Sequence, residues 1–163
     1  MAPATTSMAV GTDGVAVLTL TNPPVNALHP AVLEALFRSL QAAQADPAVR
    51  AIVITGAGTN FCAGFDINQF QSGGNNGGID NDALNTAFVT LLEDGAKPSV
   101  AAIDGVALGG GCEVALACNG RVATERASMG LPELQLGIIP GFGGTQRLPR
   151  VVGVAKAAEM MLK

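Results

Sequence analysis

The stretch VALGGGCEVALA (106–117), with PELQLGIIPGFGGTQRL (132–148) after it, decides how the chain folds. An apolar extended run breaks at Gly109, Gly110 and Gly111, and CEVALACN then continues in helical spacing, so a strand feeds a helix through a glycine loop. A helix starting near Gly110 points unpaired N–H groups outward, and three positions without side chains let a ligand oxygen approach them. Glu113 lies about one turn further on, so its carboxyl reaches the same space. Glu133 follows Pro132 in apolar company, where partial desolvation raises a carboxyl group's proton affinity. A triple glycine alone would read as tight packing, and either glutamate alone as an exposed or capping residue. Together they point to acid–base chemistry on a carbonyl compound.

Outward from this stretch the order of elements is α/β. VAVLTLT (15–21) reads as a strand stopped by Asn22-Pro23-Pro24. His29-Pro30 opens a helix in which Val32, Leu33, Leu36, Phe37 and Leu40 repeat at helical spacing. AIVIT (51–55) is a second strand, and NDALNTAFVTLLEDGAK (81–97) a helical pattern leading to a third, SVAAI (99–103). A short return strand is expected at 121–123, and two further helices separated by Gly153. Residues 71–82, polar and rich in glycine, read as a mobile loop. The second N–H donor is expected from the glycine turn at 61–67, where Phe65 follows Gly64.

Composition narrows the function classes. The chain has 163 residues, 48% hydrophobic and 13% charged, which fits one domain with a large buried fraction. Nine basic residues in no run, with a net charge of −4, give no electrostatic footprint for nucleic acid. No segment reads as a membrane span or a secretory leader. Cys62, Cys112 and Cys118 are an odd number without metal-ligand spacing, and read as free thiols. A thiol enzyme using Cys112 at the helix start is the rival reading, weakened because the one histidine, His29, stands in a helix-opening turn.

Motifs taken in order, AG-x-D-I (63–67), GGG-x-E (109–113), Pro132-Glu133 and GIIPG-x-GGTQRL (137–148), resemble those of the enoyl-CoA hydratase/isomerase, or crotonase, superfamily. NPPVNAL (22–28) and KPSVAAIDGVALGGGCEVALAC (97–118) look most like the N-terminal domain of plant peroxisomal β-oxidation multifunctional proteins. The resemblance implies a crotonase-like superhelix of strand–strand–helix turns across 1–163. It makes the backbone N–H groups of Phe65 and Gly110 the oxyanion hole, and Glu113 and Glu133 the catalytic acids. It puts Asn26, Ala27 and Leu28 near the nucleotide end of an acyl-CoA, Ala63, Asp66, Ile67 and Asn68 along its path, and Gly141 beside the acyl pocket.

The implied reaction is hydration of a trans-2-enoyl-CoA, with no metal and no cofactor beyond the coenzyme A of the substrate. A 3-enoyl-CoA isomerase and a non-catalytic acyl-CoA-binding or assembly module are the alternatives. The implied partners are an acyl-CoA thioester and either copies of the chain or further domains of a larger enzyme. The implied compartment is the peroxisome, with the cytoplasm as alternative, since Met161-Leu162-Lys163 is no S-K-L address. Two departures stand out. Pro23, Pro24 and Val25 stand where many relatives carry a basic residue, and the family's domain continues past the position of Lys163 into helices that cover the acyl pocket. The expectation is therefore a domain incomplete at its C-terminus, with wetter glutamates and reduced activity.

Overall fold

The computed structural model describes residues 5–66 and 82–162. Its centre is a five-stranded sheet in the order β1-β2-β3-β4-β6, formed by β1 (Thr5–Val10), β2 (Val15–Thr21), β3 (Ala51–Gly56), β4 (Ser99–Ile103) and β6 (Gly120–Ala123). Strand β1 runs antiparallel to β2, and the remaining pairs are parallel. Two short strands, β5 (Val106–Leu108) and β7 (Ser128–Gly130), form a separate parallel pair. Parallel neighbours need crossover connections, and helices supply them here. The α/β class and the strands expected at 15–21, 51–55 and 99–103 are present. Strands β1 and β7 were not foreseen.

Alternation in β2 buries Ala16, Leu18 and Leu20, and β3 adds Ile52 and Ile54. Against them pack Val32, Leu33, Leu36, Leu40 and Ala43 of α1 (Pro30–Ala45). Pro30 fits the first turn of α1, and His29 caps it, its Nδ1 accepting from the Ala31 N–H at 3.2 Å. At the other end, the Lys97 ammonium donates to the carbonyls of Ala43 and Asp46, satisfying acceptors that a helix terminus leaves open. Helix α2 (Asp82–Glu93) contributes Phe88 and Leu92 to the core.

Helix α3 (Gly110–Ala117) is buried along its whole length, which is why its residues show no polar stripe. Its last carbonyls are gathered by Arg121, whose Nη1 lies 3.3 Å from the Ala115 oxygen, 3.4 Å from that of Leu116 and 2.9 Å from that of Cys118. A cation at this end also complements the helix dipole. A 3-10 turn (Pro132–Leu136) precedes α4 (Gly144–Val152) and α5 (Val154–Leu162), divided at Gly153 as expected. Of the segment 71–82, only Asp82 falls within the described residues, and it opens α2. The expectation of a loop at 71–81 lies outside the described residues, as do the roles given to Ile67 and Asn68.

Candidate active site

Two glycine loops meet at backbone level. A Cβ placed on Gly64 would come 2.8 Å from the Leu108 oxygen and 3.4 Å from the Gly110 nitrogen, so only glycine permits this approach. Gly64 also has φ +97, in the left-handed region. Isolated bridges, Leu28 to Phe65 and Cys62 to Ala107, hold the segment 62–65 between β5 and the turn after β2. Phe65 lays its ring over Gly110, where a Cβ would stand 2.4 Å from ring carbon Cε2. The N–H groups of Phe65 and Gly110 make no backbone or side-chain hydrogen bond among the described residues.

Beside these amides lies a cavity of about 90 Å³, several times what one water needs. Ala63, Phe65, Gly110, Glu113, Glu133 and Gly141 all line it. Both expected acids and both expected donors therefore face one space. A groove of about 410 Å³ continues from it, sharing Ala63 and Phe65 and bordered by Pro23, Ala27 and Asp66. Among the described residues, no group of three or more His, Cys, Asp or Glu side chains could hold a metal ion.

Glu113 is 1% exposed and strongly held. Its Oε1 accepts from the N–H groups of Phe142 and Gly144, each at 2.7 Å, at the start of α4. A helix N-terminus is a natural seat for an anion. Burial nevertheless pushes its pKa above the ordinary carboxylate value. The two amides oppose that rise, the Glu133 charge adds to it and Arg147 opposes it. Gly144 has to be small, since a Cβ there would meet Glu113 Oε1 at 2.9 Å and Leu131 Cδ1 at 2.8 Å.

Glu133, in the first turn of the 3-10 segment, is 8% exposed. Its Oε1 lies against Gly109, 3.4 Å from where a Cβ would stand, and its buried Oε2 has no hydrogen-bond partner. Burial raises this pKa as well, opposed by the residue's own N–H.

The residues expected at the nucleotide end divide. Ala27 borders the groove, but Leu28 is buried in the core and the Asn26 side chain turns inward at 3% exposure. Asn26 Nδ2 donates to the carbonyls of Ala57 and Asn60, at 2.9 and 2.7 Å, and its Oδ1 accepts from the Asn22 N–H. Those bonds hold the loop at φ +54, a shape asparagine tolerates, so the side chain is a scaffold for the groove wall. The glutamates are also drier than expected. Residues 136–144 of this same chain lie over them, with Ile139 at the cavity mouth 72% exposed. Cys112 is wholly buried and its thiol is pushed up to about 12, first by desolvation and then by the two glutamate charges, which removes the thiolate the rival reading needs.

The strap that binds Glu113 was missed as such in the sequence. GIIPGFGG is visible there, but its pairing with an acid about thirty positions upstream is a tertiary fact. Residues 11–163 match the family model described as Enoyl-CoA hydratase/isomerase. The chain belongs to that family. Within the enoyl-CoA hydratase/isomerase family it is 55% identical over 159 residues to a peroxisomal fatty acid beta-oxidation multifunctional protein of Oryza sativa subsp. japonica, covering 96% of this chain and 22% of that protein. It is 51% identical over 150 residues to a probable enoyl-CoA hydratase of Bacillus subtilis (strain 168), covering 90% and 57%. The crystal structure of an enoyl-CoA hydratase from Bacillus anthracis superposes with a TM-score of 0.88 at 38% identity, covering 96% of this chain and 62% of that one. The chain thus spans about a fifth of the multifunctional relatives and under two thirds of the hydratases.

Proposed function

We propose that this chain carries the hydration of trans-2-enoyl-CoA thioesters to 3-hydroxyacyl-CoA in fatty-acid β-oxidation. The observation that carries the reading is the single cavity lined by Phe65, Gly110, Glu113 and Glu133. In this reading the thioester oxygen sits at the Phe65 and Gly110 amides, which are unpaired with other acceptors among the described residues. Glu113 takes a proton from water as the water oxygen bonds to Cβ. The alkene electrons move to Cα and the thioester, and the amides stabilise the enolate charge. Glu133 then delivers its proton to Cα, so one water is added and the two carboxyls exchange protonation states.

The roles follow from how each acid is held. Two amide donors favour the ionised form of Glu113, as a base requires, whereas Glu133 has an unpartnered oxygen in an apolar setting that favours the protonated form. The steps as written need no cofactor beyond the substrate's own coenzyme A, which the groove at Ala27, Ala63 and Asp66 would receive. Ile67, Asn68 and the backbone near Asn26 and Leu28 belong to the same proposed path. A peroxisomal setting and operation beside further domains of a larger enzyme rest on the names and lengths of the multifunctional relatives.

Crotonyl-CoA in H₂¹⁸O provides the test. The expected result is loss of the enoyl thioester absorbance with label at C3. Glu113→Gln and Glu133→Gln should each lower turnover on the order of 10²- to 10⁴-fold. A folded protein that leaves crotonyl-CoA unchanged, or either variant at wild-type rate, overturns the proposal.

A further inference from the structure

Residues 142–144 have two occupied sides. On the inner side the Phe142 and Gly144 N–H groups bind Glu113. On the outer side the Phe142 carbonyl accepts from Arg147 Nη1 at 2.9 Å, while Arg147 Nε pairs with Glu93 at the end of α2. The guanidinium lies directly on Gly143, where a Cβ would be 1.8 Å from Nη1. Gly143 itself has φ +93. Arg147 is 16% exposed along its side chain, so this is no loose surface pair. A planar fork gripping acceptors on two different elements fixes direction as well as charge.

We propose that Arg147, anchored by Glu93, is a positioning residue that holds the Phe142 peptide so that its N–H stays on Glu113. The inference rests on the reading of Glu113 as a reacting carboxylate. Arg147 does not line the cavity that holds the two acids, so it acts through the strap. The groups that act on Glu113 by charge are Glu133 and Arg147, with the neutral Cys112 thiol beside them. Removing Arg147 takes away both a positive charge and the grip on the strap.

The test combines the Glu113 carboxyl titration, followed by ¹³C NMR, with crotonyl-CoA kinetics. In Arg147→Gln the Glu113 pKa should rise, through loss of the charge and of the Phe142 amide's placement. Turnover should fall about tenfold with KM changed less than about threefold, as for a misplaced reacting group. Arg147→Lys keeps the charge but cannot bridge Phe142 and Glu93, so it should stay nearer to Arg147→Gln than to wild type. Glu93→Gln should move both readouts in the same direction by less, and carries the test if Arg147→Gln does not fold. An unchanged Glu113 titration, or full recovery in Arg147→Lys, overturns the proposal. Wild-type hydration in Glu113→Gln would instead sink the functional reading, while the titration, which needs no turnover, still decides the strap.

Discussion

Glu113 and Glu133 face the same cavity and are both buried, yet they are held in different ways. Glu113 stands on a helix buried throughout its length and is tied by two amides to the start of a second helix. Glu133 stands on a 3-10 turn whose neighbours Leu134 and Leu136 are exposed, and one of its oxygens is buried without a partner. Two amide donors fix the position of one acid and oppose the rise in its pKa that burial causes. Desolvation without a compensating partner raises the proton affinity of the other. The difference is what supports the separate roles proposed for two acids that the sequence presents as equivalent.

Gly144→Ala should break the comparison most strongly, because the added carbon meets only the Glu113 side. With 2.9 Å to Glu113 Oε1 and 2.8 Å to Leu131 Cδ1, these side chains must shift, and the expected outcome is a carboxyl displaced from its seat. Turnover should fall roughly ten- to a hundredfold, and stability by about 1–3 kcal/mol, in steady-state assay and urea titration. A variant with normal turnover would show that the amide seat is not needed.

Glu133→Gln sharpens the other side through pH. Burial raises the Glu133 pKa above its ordinary value of 4.5, so the folded state prefers the protonated acid. The associated stability is full below that ordinary value and is lost as pH rises through the raised one. Relative to wild type, Glu133→Gln should therefore gain stability as pH rises above the ordinary value of 4.5. Parallel thermal melts across that range check the sign, and a constant difference would contradict it.

Cys112→Ala should have the smallest effect. The residue precedes Glu113 but its thiol stays protonated, so hydration should remain within about twofold while the small void costs about 1 kcal/mol. Loss of turnover in a folded Cys112→Ala protein would move the chemistry away from the carboxylates.

Much of this architecture can be read in the chain because its signals are local. The alternation in 15–21, the helical repeat from Val32 to Leu40, and the glycine run before Glu113 each appear within one element. Strand β1 escaped because TTSMAV is mostly exposed, and its place is set by its antiparallel register on β2. Strand β7 is three residues long and depends on β5 for pairing. Asn26 shows the same limit at the site: its residue type fits ligand binding and scaffolding equally, and only the carbonyls of Ala57 and Asn60 decide. Nothing local marks Arg147 either, because its acidic partner, Glu93, stands 54 positions upstream.

The contact of Gly64 with Leu108 and Gly110 has an evolutionary consequence. Main chain touching main chain sets the width of the cradle there, so exchanges at Leu136, Ile138 or Ile139 can reshape the rest of the cavity wall without altering it. On the proposed reading, substrate range can drift through those rim positions while the amides proposed to stabilise charge keep their places.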